Sequence, residues 1–185
     1  MAGGHSEFTG RTVRLLAAGV VMVLTWASTY RVWAASFEAK ELQVLSKAIA
    51  FMQPPPPQDA IIAIAYLAGI ADSRRDADAI ALLIGSGLQA GRTVLRPKVI
   101  DVNSLGTSGF KVVIAAAGAN GPRLSAASRA AQALCVTKNV EAVRAGFCTM
   151  AITLEPRVEI IVNHAVSSAA GIDFATAFRM MIQEI

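Results

Sequence analysis

Three aspartates, Asp72, Asp76 and Asp78, lie within one short stretch of the chain and follow an apolar run that reads as a strand. Carboxylates at the carboxyl end of a strand in an α/β protein can share a proton or hold a divalent ion. Acidic residues in a first helical turn are also stabilised by the helix dipole, and Arg74 and Arg75 offer local neutralisation, so helix capping is the stronger account. The stretch Gly85-Ser86-Gly87 lacks a following Gly-Lys-Ser/Thr and closes a helix rather than opening one, which excludes a phosphate-binding loop. His164 follows Asn163 at a strand's end, but no Gly-x-Ser-x-Gly elbow occurs and neither cysteine carries a catalytic signature. The expectation is a protein without catalytic residues, cofactor or metal site. Arg123, Arg129, Arg144 and Arg157 are single charges on separate elements and read as solvated faces or partner contacts.

The N-terminus carries the three features of an export signal, which are a basic start, an apolar stretch of roughly 7 to 15 residues and a small-residue cleavage site. Arg11 and Arg14 precede the uncharged run Leu15 to Thr29, and Val32-Trp33-Ala34 supplies the small residues. Cleavage between Ala34 and Ala35 is expected, giving a signal peptide at 1–34 and one domain at 35–185; an uncleaved N-terminal anchor is the alternative. Export places Cys135 and Cys148 in an oxidising compartment, where an even count favours a disulfide closing a loop worth about 3 kcal/mol in chain entropy. Two buried thiols on separate strands are the competing reading. With His164 the sole histidine after residue 34, a zinc shell is not complete.

Removing residues 1–34 takes away Arg11, Arg14, Arg31 and Glu7, which leaves 14 basic and 12 acidic residues, close to neutral. The remaining charges are interspersed, so the footprint of a nucleic-acid binder is absent. Long Ala/Ile/Val/Leu runs exclude a disordered chain.

The elements follow from periodicity. Apolar residues at Leu42, Leu45, Ala48, Ile49 and Met52 predict an amphipathic helix over 36–52, stopped by the four prolines 54–57, which form a short stiff spacer. Ala60 to Leu67 is a continuous apolar run of the kind buried on both faces of a parallel sheet. Ser73 is expected to cap the next helix, with Asp76 completing a weak capping box, and Gly85 to end it. Further strands are predicted at Lys98–Val102, Phe110–Ala117 and Ala133–Thr137, with short helices through Ser125 to Ala131 and Asn139 to Ala145. Phe147–Leu154 and Arg157–Val162, turning near Glu155-Pro156, read as a hairpin, and Phe174–Gln183 as a closing helix with Phe174, Phe178, Met181 and Ile182 on one face. Together these predict an α/β three-layer sandwich with a mostly parallel central sheet and an antiparallel hairpin at the C-terminal edge.

Several stretches resemble the YfiR family of small periplasmic proteins. FEAKELQVLSKAIAFMQPPPP is similar to its opening helix ending at proline, AIIAIAYLAG to its first strand, and GRTVLRPKVI to its GK-x-V-x-x-R-P-x-x-V stretch. The C-terminal half follows the family order through ALCVTKN, EAVRAGFCTMAI, PRVEIIVNHAVSSAAGI and DFATAFRMM. Asn163 matches the asparagine closing the family's FEIN strand, and Gly146 and Gly171 match its glycines; the family's FVEWP is replaced by AFMQPPPP and the glutamate of FEIN by Ile161. The resemblance implies a periplasmic repressor that binds the extracytoplasmic sensor of a membrane-bound diguanylate cyclase, restraining cyclic di-GMP synthesis and biofilm formation. It also implies homodimers and redox-responsive disulfides. Membrane contact would then come only through the partner or an uncleaved leader. The helices over 36–52 and 174–183 are the expected contact elements. The alternative is a periplasmic small-ligand-binding module with its pocket at the strand ends near Gly69 and Gly118.

Overall fold

The structure is a computed structural model that describes residues 36–185. The leader and its cleavage point between Ala34 and Ala35 lie outside the described residues. The fold is the expected α/β three-layer sandwich: a mostly parallel sheet of eight strands with helices on both faces.

Helix α1 (Ala39–Ala50) is followed by β1 (Met52–Gln53) and the long strand β2 (Asp59–Tyr66). After α2 (Ala71–Ile84), β3 (Leu88–Ala90) and β4 (Thr93–Asp101) form a hairpin, and a single 3-10 turn at Val102–Ser104 leads to β5 (Val112–Ala115). The alternation continues through α3 (Pro122–Ala130), β6 (Leu134–Thr137), α4 (Val140–Arg144), β7 (Met150–Thr153) and β8 (Glu159–Val162). The chain closes with α5 (His164–Ala169), β9 (Asp173–Phe174), α6 (Thr176–Arg179) and β10 (Gln183–Glu184).

Across the sheet the order is β10-β8-β7-β6-β5-β2-β4-β3, with β2 and β4 through β7 parallel, β3 antiparallel to β4, and β8 antiparallel to β7 but parallel to β10. The predicted hairpin is present, its register pairing Met150 with Val162. In β2 the continuous apolar run divides by the two-residue period of a strand. Ile62 and Ile64 enter one core with Leu45 and Ile49 of α1 and Ile80 of α2. Ala63 and Ala65 enter the other with Leu124 of α3, Val143 of α4 and both cysteines.

Three expectations are corrected, and one strand pair is added. The strand predicted at Lys98–Val102 begins at Thr93: Pro97 reads as a break, but β3 ends opposite Leu95, so β4 is an edge strand at Pro97, where a proline is tolerated. Ser73 is not a cap, because α2 starts at Ala71 after Ile70; its buried hydroxyl instead accepts a hydrogen bond from the Leu67 N–H at 3.0 Å. The short pair β1–β9, joining Met52 to Phe174, carries no alternating pattern long enough to be read in sequence.

The closing helix over 174–183 is a single turn. Phe174 belongs to β9, Phe178 is buried, and Met180 and Met181 are 83% and 63% exposed, so the helical stripe fails after one turn. The tail instead satisfies the outer edge of β8, with the Ile185 N–H donating to the Val162 carbonyl at 2.9 Å and the His164 N–H to the Ile185 carbonyl at 3.0 Å. Unpaired strand-edge groups are costly, and this captures the last residues as a parallel strand.

One carboxylate links elements distant in sequence. Asp76, only 8% exposed, accepts hydrogen bonds from the Ala117 N–H after β5 at 2.7 Å and from the hydroxyl and N–H of Ser36 ahead of α1. Replacing it with alanine leaves the Ala117 N–H without its acceptor, so Asp76→Ala is expected to lower unfolding free energy by about 2–3 kcal/mol in urea titration. Asp76→Asn, which keeps one acceptor oxygen, loses less; an alanine variant as stable as the parent would contradict this role.

Candidate functional site

The aspartates do not form a cluster. Asp76 points inward to Ala117, whereas Asp72 and Asp78 sit on the exposed face of α2, paired with Arg75 at 3.4 Å and Arg74 at 3.0 Å. Arg74 also lies over the Tyr66 ring, 4.8 Å from its centroid, and the hydrogen bonds it donates to Asp78 and Tyr66 raise its pKa. Among the described residues no group of three or more His, Cys, Asp or Glu side chains could hold a metal ion. Gly85 closes α2, its N–H donating to the Ala81 carbonyl.

In the parallel part of the sheet, β4-β2-β5-β6-β7, the chain reverses direction between β2 and β5. Ligands of open α/β sheets bind in the crevice at the carboxyl ends of such a pair, and Gly69 and Gly118 lie there. Ile70 occupies this place: a Cβ added at Gly118 would meet its Cδ1 at 3.2 Å. Nearby, Asp101 accepts from the N–H groups of Asn103 at 3.1 Å and Ala68 at 3.3 Å, and Arg123 donates to Asn103 Oδ1 at 2.6 Å. The backbone bond from Asn103 leads the causes that hold the Asp101 carboxyl below the ordinary aspartate range.

Cys135 and Cys148 form a disulfide, both fully buried, with Cα atoms 5.0 Å apart. Cys135 is on β6 and Cys148 just ahead of β7, its parallel neighbour, so the bond closes the loop that contains α4. Asn163, Gly146 and Gly171 each have a structural placement. Asn163 caps α5 through the Val166 N–H at 3.1 Å and donates to the Val143 carbonyl of α4 at 2.9 Å. Gly146 and Gly171 have φ of 77° and 65°, a region that disfavours any side chain. His164 is exposed at the start of α5. Arg123, Arg129, Arg144 and Arg157 bond to Asn103, Ser125, Glu141 and Glu159 respectively, and converge on no common point.

Two surface features were not legible in the sequence. Glu41, which reads as a solvent-facing charge of α1, is 1% exposed; it accepts from the Glu38 N–H at 2.6 Å and meets Lys138 Nζ at 2.7 Å, at a polar cleft that also includes Thr153 and Glu155. Near the outer strand β10, Met180, Met181 and Val158 are 83%, 63% and 47% exposed. They flank a shallow cleft of about 380 Å³ with Arg157 and Gln183 on its rim. By contrast, the apolar stripe of α1 is spent on the core, with Leu42, Leu45, Ala48 and Ile49 all buried.

No protein-family model matches the chain, and no curated protein matches it either.

Two measurements check this geometry. Intact-mass analysis after alkylation should show no free thiol until the protein is unfolded and reduced, and a Cys135→Ser/Cys148→Ser variant should lose about 3 kcal/mol. A carboxylate whose folded pKa is depressed contributes stability at neutral pH and loses it as pH falls through the folded value. The Asp101 Cγ resonance should therefore titrate below the ordinary aspartate range, and in Asn103→Gly, which frees the backbone of that turn, its midpoint should rise.

Proposed function

We propose that this chain is an exported regulatory protein of the YfiR type, which works by contact with the extracytoplasmic sensor region of a membrane-bound diguanylate cyclase and holds cyclic di-GMP synthesis down. The observation that carries the reading is the set of exposed apolar residues Met180, Met181 and Val158 around one cleft beside the outer strand β10. Exposed apolar groups of this kind beside an outer strand favour protein partners, through strand addition or through a flat apolar seat. Methionine suits such a surface because its flexible, polarisable side chain adapts to a partner.

The buried disulfide supports a protein made for an oxidising compartment. Among the described residues no helix is long and apolar enough to cross a membrane, so the proposed membrane association runs through the partner or through the leader. Of the two contact elements expected from sequence, the C-terminal segment offers exposed apolar groups, and the 36–52 helix turns its stripe inward.

The test is affinity capture from cell envelopes with the cyclic di-GMP level as second readout. Overproduction should lower cellular cyclic di-GMP and co-purify a membrane cyclase. Met180→Asp/Met181→Asp should cut capture tenfold or more while its thermal midpoint stays close to the parent's, as befits surface positions. Unchanged cyclic di-GMP together with no captured cyclase would refute the reading.

A further inference from the structure

A cavity of about 390 Å³ opens at the amino-terminal end of β2, on the sheet face that carries the disulfide. Its origin is topological. The connection from β4 to β5 must pass over β2, which lies between them. Parallel crossovers usually contain a helix that covers the sheet they span, but residues 102–111 contain only one 3-10 turn. Val102, Leu105 and Phe110 cover the centre of the strand, where the inward residues are the small Ala63 and Ala65. The first residues of β2 are left without a helix over them, and the gap is the cavity.

The walls and mouth differ in chemistry. Phe110, Ile61 and Ala131 form an apolar wall, with Phe110 6% exposed. At the mouth Arg96 lies 3.3 Å from Asp59, so these two charges compensate each other. Lys111 also lines the cavity and makes no ion pair among the described residues. Its backbone is held on both sides, the N–H donating to the Ile61 carbonyl at 3.1 Å and the carbonyl accepting from Leu134 at 3.0 Å, so the ammonium stem leaves from a fixed point. A pocket of a few hundred Å³ with apolar walls and one or two convergent polar groups is the common form of a small-ligand site.

We propose that this cavity binds a small carboxylate with an apolar body, the ring or acyl chain lying against Phe110, Ile61 and Ala131 and the carboxylate on Lys111. The net charge of Lys111, Arg96 and Asp59 is one positive, which matches a monoanion; a second negative charge would meet Asp59 at the mouth. The site is separate from the C-terminal edge, on different strands, so its occupancy and cyclase capture are measured independently.

The probes are octanoate and 3-phenylpropanoate, with octan-1-ol and 3-phenylpropan-1-ol as neutral counterparts, titrated into the full chain by calorimetry and by amide chemical shifts. At least one acid should bind saturably, shifting the amides of Ile61, Phe110 and Lys111, and its alcohol should bind about tenfold more weakly or worse. Lys111→Met, nearly isosteric, should bring the acid down to the affinity of the alcohol and leave the alcohol unchanged. Ser108→Trp, an exposed position on the cavity rim, should abolish both without changing the circular dichroism melt. The proposal is overturned if neither acid moves those amides up to its solubility limit, if acid and alcohol bind equally, or if Lys111→Met leaves acid binding intact.

Discussion

Everything in this fold is arranged around one strand, whose middle is buried on both faces and bonded along both edges. β2 is hydrogen-bonded to β4 along its full length, from Asp59 opposite Val94 to Tyr66 opposite Asp101, and to β5 across Ile62 to Ala65. Backbone groups away from solvent must be paired, and here two parallel neighbours do this for the buried part of the strand. Its two faces make different demands. The isoleucine face takes α1 and α2, and the alanine face takes the crossover segment and stands beside α3 and α4.

The two ends of the sheet consequently differ. At the carboxyl ends of β2 and β5 the loops are drawn together by Asp76, by Ile70 against Gly118 and by Asp101 with Asn103 and Arg123. The Asp76 bond is partly buried and the Asp101 and Asn103 bonds are at the surface, and with the apolar Ile70 contact they tie loops that in many α/β proteins stay open to ligands. At the amino ends the helix-free crossover leaves apolar surface that no element covers. The disulfide staples the β6–β7 pair beneath α4, and the exposed methionines lie near the outer strand β10.

Legibility in sequence tracked how local the cause of each element was. The stripe Leu42, Leu45, Ala48 and Ile49 announces α1 because its period is a property of the helix itself. The run Ala60 to Leu67 announces a doubly buried strand, since few other structures accept that many apolar residues in a row. The 174–183 segment shows the opposite case: its spacing fits a helix, yet the edge of β8 offered backbone partners that a one-turn helix could not match. Glu41 reads as a surface charge and Asp76 as part of a helix cap, because burial of a carboxylate depends on donors that arrive from elsewhere, here Lys138 and Ala117.

What the sequence determined by itself was the βα order, the apolar runs that became the two cores, and the identity of the sole possible disulfide, since Cys135 and Cys148 are the only cysteines. Those follow from composition and short periods along the chain. Only the tertiary structure decided that the two sulfurs meet, that Asp76 faces β5, that the tail becomes a strand and that a crossover without a helix opens a cavity beside Lys111. Each of these depends on which strands become neighbours, and strand neighbourhood is set by the joint burial of segments far apart in the chain, a quantity that no local window contains.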